Sequence, residues 1–575
     1  MRRVDSVGRR CCDDVLRANT AVGLGILILI NSGCHAEKDR LPSKDIVSSG
    51  ALVFRSQELP FRYERGETGA AWPVETTGGG VGLLDYDGDG RLDLFFAQGG
   101  PLLENKDNAL PPGCDVLLRN LGEGRFEDVS ARAGLIPKGY GQGVTVADYD
   151  GDGDPDIYIT RYGRNTLWQN DRQHGQFKDV TDQAGVACGS WSLGAAFADY
   201  DGDGDVDLFV ANYFAFDPSR APFWRDPATG AAEYGLPQDF PGLPDVLYRN
   251  EGNGTFHDVT AHAGIAGSGR GMGVLAADFD RDGRIDWLVA NDAQSNVLWR
   301  NRGDGTFEDV ADRLGLAVNG QGLAEANMGI AFGDTDGNSM PDVLISHFFG
   351  EHHTLWRAYG GPDGSVFYQD QTSEAGLAID SRPLTGWGTV LADLDLDGYL
   401  DLMVTNGHIR RERSQVYVYE NPAILWRNKG NGAFANVTSG AGPYFQALHM
   451  GRGLAFGDLD GDGDTDLVVV HYHAASAVLW NESPRKGGYL IVKLQGRGAN
   501  RDATGTRLIA HVGSRRFVRT VDGGGSYLST SDPRVHFGLG ETTQVDRLEV
   551  HWPSGKVEMR SNLRANSTIE WNEAE

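Results

Sequence analysis

One short pattern, Asp-x-Asp-x-Asp/Asn-(Gly)-x-x-Asp, recurs seven times and limits what this chain can fold into more than any other feature. Its acidic quartets are Asp85, Asp87, Asp89, Asp93; Asp148, Asp150, Asp152, Asp156; and Asp199, Asp201, Asp203, Asp207. They continue with Asp278, Asp280, Asp282, Asp286; Asp334, Asp336, Asn338, Asp342; Asp393, Asp395, Asp397, Asp401; and Asp458, Asp460, Asp462, Asp466. Successive quartets start 63, 51, 79, 56, 59 and 65 residues apart. That period suits one four-stranded sheet per repeat with loops of varying length.

The flanks repeat as well. A glycine stands five residues before each first Asp, at Gly80, Gly143, Gly194, Gly273, Gly329, Gly388 and Gly453. The residues between are mostly small or aliphatic, as an inner strand crowded at a common axis requires. After each last Asp comes an apolar strand such as Leu94-Phe95-Phe96 or Leu467-Val468-Val469, then a third strand of the type Leu298-Trp299-Arg300-Asn301, then a fourth of the type Phe126-Glu127-Asp128-Val129. Seven sets of four short strands predict an all-β, seven-bladed β-propeller over residues 51–485. The seventh repeat lacks its fourth strand. Val53 to Arg65 is expected to supply it, because Phe61 and Gly69 show the eight-residue spacing of Phe126 and Gly134. Closure of this kind removes exposed sheet edges. A solenoid, the other architecture with such periods, has no use for it. The tryptophans Trp168, Trp299, Trp356, Trp426 and Trp480 are expected between blades.

Alternating carboxylates within nine residues can wrap one hard cation, and Ca²⁺ accepts several oxygens in flexible geometry, whereas Mg²⁺ demands stricter octahedral order. An EF-hand would need Glu at position twelve. Here that position is Phe96, Ile159, Val210, Val289, Ile345, Val404 and Val469, always apolar. A metal-free solvated hairpin is the alternative, and it would leave four carboxylates repelling one another in every turn. All 28 quartet residues are therefore read as ligands for up to seven Ca²⁺ ions. Such loading would halve the formal net charge of −28. The fifth loop is the weakest, with Asn338 for Asp and Ser339 for Gly. The acidic balance also argues against nucleic acid and anionic lipid headgroups as partners.

The first 34 residues read as a targeting segment. Arg2, Arg3, Arg9, Arg10 and Arg17 precede the uncharged run Ala21 to Ile30, which is short for a transmembrane helix. Small residues then meet Cys34, which resembles the lipidated cysteine of bacterial lipoproteins, although Asn31 departs from their usual aliphatic residue. The expected product is an exported chain held to a membrane by a lipid on Cys34, or else secreted, with residues 35–50 as a polar tether. Cys114 and Cys188 could pair in such a compartment, and the sequence leaves this open.

The seven loops and their strands resemble the FG-GAP/VCBS repeats of integrin α-subunit propellers. The segment 487–575 resembles the ASPIC/UnbV domain, through Arg501-Asp502-Ala503-Thr504-Gly505, Gly525-Ser526-Tyr527-Leu528-Ser529, Val535-His536-Phe537-Gly538-Leu539-Gly540 and Val550-His551-Trp552-Pro553-Ser554-Gly555. Together they are similar to the cartilage acidic protein family. The resemblance implies calcium loading and an extracytoplasmic setting, and it brings no catalytic motif. Alternating strands such as Leu490 to Leu494 and Leu548 to Trp552 predict a small β-sandwich packed on or tethered to the propeller.

A ligand site is expected opposite the Asp loops. Five residues past each last Asp stand Gln98, Arg161, Asn212, Asn291, His347, Asn406 and His471, one per blade around one mouth. They read either as caps on strand ends or as a polar ligand rim. The loops that follow are long in repeats one, three and six, and long loops on rigid scaffolds often carry binding. The third is aromatic (Phe214, Phe216, Phe223, Trp224, Tyr234, Phe240), and the sixth holds Arg410, Arg411 and Arg413. No hydrolase elbow, zinc-protease helix or phosphate loop occurs. The sequence thus points to a binding or adhesion module for an extracellular protein or glycan. The alternatives are a polysaccharide-active lyase or hydrolase and a structural component of a surface assembly.

Overall fold

A computed structural model describes residues 52–102, 114–220, 224–225, 230, 232–409, 418–484 and 487–574. Seven antiparallel four-stranded sheets follow the seven repeats, from Val81–Leu84, Asp93–Phe96, Val116–Asn120 and Phe126–Asp128 in blade 1 onward. Each innermost strand neighbours that of the next blade, and the last, Gly451–Gly457, returns to the first, so the sheets ring an axis. Every second strand is buried on both faces because it sits between two other blades. In blade 1, Leu94 and Phe96 enter the cluster shared with blade 7, while Phe95 enters the one shared with blade 2. That two-sided burial accounts for its unbroken apolar sequence. Trp168, Trp299, Trp356, Trp426 and Trp480 all lie in such inter-blade clusters.

The glycines before the Asp loops mark how closely the blades approach. A Cβ on Gly143 would stand 2.8 Å from the Leu193 carbonyl oxygen of the next blade, one on Gly194 2.8 Å from that of Met272, and one on Gly388 2.7 Å from that of Arg452. Asparagine stands at or next to the end of the third strand in six blades and stitches each to the preceding one. Asn120 Nδ2 donates to the Leu459 carbonyl (2.8 Å), Asn301 Nδ2 to Tyr200 (2.7 Å) and Asn481 Nδ2 to Leu394 (2.8 Å).

Phe54–Glu58 completes blade 7 by pairing antiparallel with Ala477–Asn481. The register corrects the reading from Phe61 and Gly69. Phe54 faces Asn481, as Phe126 faces Asn120 in blade 1, so Phe54 is the equivalent residue. Its amide donates to Ala441 (2.9 Å), as that of Phe177 does to Ala133 (2.8 Å).

The C-terminal segment is a two-sheet β-sandwich. Val535–Gly540, Gly488–Gln495 and Ser567–Asn572 form one sheet, and Arg515–Thr520, Arg507–Val512, Gln544–His551 and Val557–Arg564 the other. Leu490, Val492, Leu508, Phe517, Phe537, Leu548 and Trp571 fill the space between. The sandwich does more than pack on the ring: its segment 523–532 runs into the propeller axis. Gly523–Gly524 adds a fifth strand to blade 4 beside Leu275 and Ala276. Val144 donates to the Leu528 carbonyl (3.0 Å), and Thr530 bonds Val81 (2.9 Å) and Leu83 (3.0 Å). Tyr527, fully buried, reaches the aromatic cluster at the far end of the axis, where its ring meets Trp387 edge-on at 5.0 Å. Cys114 and Cys188 are free thiols. Among the described residues no helix is long and apolar enough to cross a membrane.

Candidate functional site

Each Asp loop joins the first and second strands of a blade, so all seven share one face. The turn is built by the carboxylates themselves, which accept hydrogen bonds from loop amides. The first Asp takes the amide at position six: Gly90 to Asp85 (2.9 Å), Gly153 to Asp148 (2.8 Å), Gly398 to Asp393 (2.8 Å). The ninth Asp is fully buried and serves the blade. Asp93 accepts the amides of Tyr86 (3.1 Å) and Asn120 (2.7 Å), and Asp156, Asp207, Asp286, Asp401 and Asp466 repeat the arrangement.

Carboxylate oxygens nevertheless converge. Those of Asp85, Asp87 and Asp93, of Asp148, Asp150 and Asp156, and of Asp393, Asp395 and Asp401 each lie within 4.8 Å of one another. In blades 3 and 4 the converging sets are Asp199, Asp201, Asp203 and Asp278, Asp280, Asp282. Burial first, reinforced by the neighbouring carboxylates, pushes Asp93 up to about 8 and Asp148 up to about 7. The donor set fits a hard cation. Oδ1 of Asp148 and Oδ1 of Asp278 are buried and accept no hydrogen bond, and Asp148 is only 5% exposed. In the fifth loop Asn338 turns its amide to the Ala358 carbonyl (3.0 Å).

Arginines on the third strand are members of this site that the Asp pattern does not reveal. Arg119 Nη2 lies 2.6 Å from Asp87 and 3.2 Å from Asp89, and Arg427 bridges Asp395 (2.5 Å) and Asp397 (2.8 Å). Their signal was present in the recurrent Arg-Asn pair that ends the third strand.

The C-terminal sandwich covers this face. Arg501 reaches the Gly151 carbonyl (3.2 Å), the Asn500 amide that of Gly204 (2.9 Å), Arg519 that of Gly398 (3.0 Å) and Arg534 that of Asp458 (3.1 Å). A cavity of about 520 Å³ remains between the ring and the sandwich, lined by Asp148, Asp393, Asp502, Arg519 and Asp522 among others.

On the opposite face the seven polar residues stand at strand ends and bond neighbouring groups, as caps do. All but Gln98 are buried. Arg161 pairs with Asp115 (2.5 Å), Asn212 donates to Pro244 (2.7 Å), Asn291 to Ser295 (3.0 Å) and Asn406 to Pro422 (3.0 Å). His347 meets Asn327 (2.8 Å), His471 donates to the Ala475 carbonyl (2.8 Å), and Gln98 donates to Arg62 (3.0 Å). Phe214 and Phe216 are core residues too, with Phe214 stacked on Phe240 at 4.4 Å, while Trp224 and Tyr234 are half-buried. Phe223, Arg410, Arg411, Arg413 and the segment with Cys34 lie outside the described residues.

An FG-GAP-like repeat model matches residues 85–159, 148–210, 242–289, 278–345 and 415–469, and an ASPIC and UnbV model matches 496–575. Cartilage acidic protein 1 of Homo sapiens is 25% identical over 518 residues, which cover 85% of this chain and 71% of the relative. The protein of that name from Xenopus tropicalis is 24% identical over 519 residues, covering 84% and 71%. Among solved structures, YCF48 bound to D1 peptide aligns over 74% of this chain and 96% of its own with a TM-score of 0.40 and 7% identity. The chain carries FG-GAP-like repeats followed by a C-terminal ASPIC and UnbV domain, and it is similar to cartilage acidic protein 1.

Proposed function

We propose that this protein is an exported, calcium-loaded binding module that takes an extracellular protein or glycan on the face away from its Asp loops. The observation that carries this reading is the cover on the other side. The sandwich covers the Asp-loop face and threads one segment down the axis, which leaves the opposite face, with its long connections, for a partner. Exposed apolar side chains support the choice: Leu236, Leu323, Ile379, Val418 and Leu448 all stand in connections on that open face. Calcium acts as a structural ion in this reading, joining carboxylates that otherwise repel. Sites of this kind in extracellular modules bind at about 10⁻⁴–10⁻³ M, which suits an exported protein, and export itself rests on the segment ending at Cys34.

Panels of glycans and of extracellular proteins, screened with millimolar Ca²⁺, test the reading. Binding that is lost when the 232–243 connection is replaced by a short turn supports it, and product release from a polysaccharide would replace it with an enzyme. Chelator should lower the melting temperature and Ca²⁺ restore it. At a hundredfold excess over Kd a bound ion adds about 2.7 kcal/mol, and indifference to both additions would end the calcium reading. Cys34→Ala should release the chain from membranes if the anchor is a lipid.

A further inference from the structure

We infer that cation loading of the Asp loops and docking of the C-terminal sandwich are linked, with the loops of blades 2, 3, 6 and 7 as the docking pads. The inference rests on the calcium reading above.

The sandwich touches these loops mainly through their backbone. It takes the carbonyl of the glycine at position six three times: Gly204 from the Asn500 amide (2.9 Å), Gly398 from Arg519 Nη2 (3.0 Å) and Gly463 from His536 Nε2 (2.8 Å). In blade 2 Arg501 takes the Gly151 carbonyl (3.2 Å) and stands 3.9 Å from Asp148. In blade 6 the Gly538 amide donates straight to Asp393 Oδ2 (2.9 Å), and Arg515 reaches the Asp397 carbonyl (3.2 Å).

The glycines at position six fit this double duty. They hold positive φ, at +94° in Gly204, +100° in Gly398 and +92° in Gly463, which turns the loop round its carboxylates. A Cβ on Gly398 would run into the Phe517 ring and one on Gly463 into that of Tyr489. The fifth loop has Ser339 at this position, and no hydrogen bond joins it to the sandwich among the described residues.

A cation in a loop sets the same backbone that the sandwich reads. Without it, converging carboxylates repel and the turn opens. Asp148 Oδ1, buried and without a hydrogen bond, is an oxygen on one of these pads that a cation would satisfy. Coupling of this kind is reciprocal: whatever factor the cation adds to docking, docking adds to cation affinity. The axial segment keeps the sandwich in place when the ions leave, so the expected change is loosening of the outer contacts, not separation.

Hydrogen exchange on the full chain, with Ca²⁺ and after chelation, tests this at single amides, with bound metal counted by mass spectrometry. Asn500 and Gly538 should exchange about tenfold faster or more once the ions are removed, while the sandwich strand Gln544–His551 keeps its protection. Asp201→Asn in blade 3 should release the Asn500 amide, and Asp336→Asn in blade 5 should leave it protected, although each costs one ion. Unchanged protection at Asn500 and Gly538 after the ions have left would overturn the linkage and leave the calcium reading standing. Equal loosening by Asp336→Asn, or loss of protection throughout Gln544–His551, would overturn it as well. A chain that binds no Ca²⁺ at millimolar concentration would overturn both.

Discussion

The Tyr368 hydroxyl donates to the Phe279 carbonyl at 3.1 Å, and in doing so takes over a bond that asparagine makes in the other six blades. The acceptor follows the first Asp of the preceding loop, the position held by Tyr86, Tyr149 and Tyr200 for Asn170, Asn250 and Asn301. Blade 5 has Ala358 where those blades have asparagine, and tyrosine where they have phenylalanine at the start of the fourth strand. Tyr368→Phe should therefore cost about 1–3 kcal/mol, because it strands a buried carbonyl. Adding Ala358→Asn should recover most of the loss. Denaturant unfolding of the two variants gives both numbers.

The close approach at the axis predicts a contrast between two glycines. Gly329→Ala drives a methyl into the Trp387 carbonyl and should cost about 1–3 kcal/mol, as overpacking does. Gly440→Ala meets nothing within 4 Å and should stay within about 0.5 kcal/mol of the parent. Thermal melts of the pair measure the difference.

Ring closure depends on Phe54, buried against Phe445 at 5.7 Å. Phe54→Ala should cost about 3–5 kcal/mol. Deleting residues 51–66 should leave the blade 7 edge unpaired and the protein prone to aggregate. Light scattering during a thermal ramp checks the second outcome, and an unchanged transition would contradict the closure.

His471 gives the acid side of the stability curve a defined slope. Burial lowers its pKa to about 4, from about 6.5 in an unfolded chain. Between those values the unfolded state holds the extra proton. The contribution is complete above pH 6.5 and is lost as pH falls towards 4, roughly 3 kcal/mol over the window. His471→Asn, the residue that blades 3, 4 and 6 use at this place, should flatten that limb. Urea unfolding at a series of pH values tests it.

Tyr527 predicts how much the axial segment contributes. Tyr527→Ala should cost about 3–5 kcal/mol, because a fully buried ring leaves a cavity at the end of the axis. A loss under about 1 kcal/mol, read from denaturant midpoints, would mean that the surrounding cluster closes over the gap.

The blades were legible because each solves the same problem. Two-sided burial, an axial glycine and a carboxylate-built turn leave the same letters seven times. The fourth strand of blade 7 was legible only in outline. The Phe-to-Gly spacing measures the turn that leads one blade into the next, and after Glu58 the chain instead crosses the open face before reaching Val81. Gly442, not Gly69, meets the strand's first residue, with its Cβ position aimed at the Phe54 carbonyl. The axial segment was not legible at all: Gly525 and Ser526 read as a glycine-rich turn, and although their partners Val274 and Ile330 each follow a repeated glycine, nothing in the sequence joins the two. The polar residues at the mouth were ambiguous for a different reason. A strand-end cap and a ligand contact call for the same side chains, and only burial separates them.

The threaded axis has a consequence for how many repeats such a protein can carry. Open repeat arrays gain and lose units with little penalty, since each unit touches only its neighbours. Here one segment bonds the inner strands of blades 1, 2, 4, 5 and 7 at once, from Val81 to Phe456. An eighth blade would widen the bore beyond the reach of those bonds, and a sixfold ring would have no room for Tyr527. Copy number is thus held at seven by a domain that contains none of the repeats.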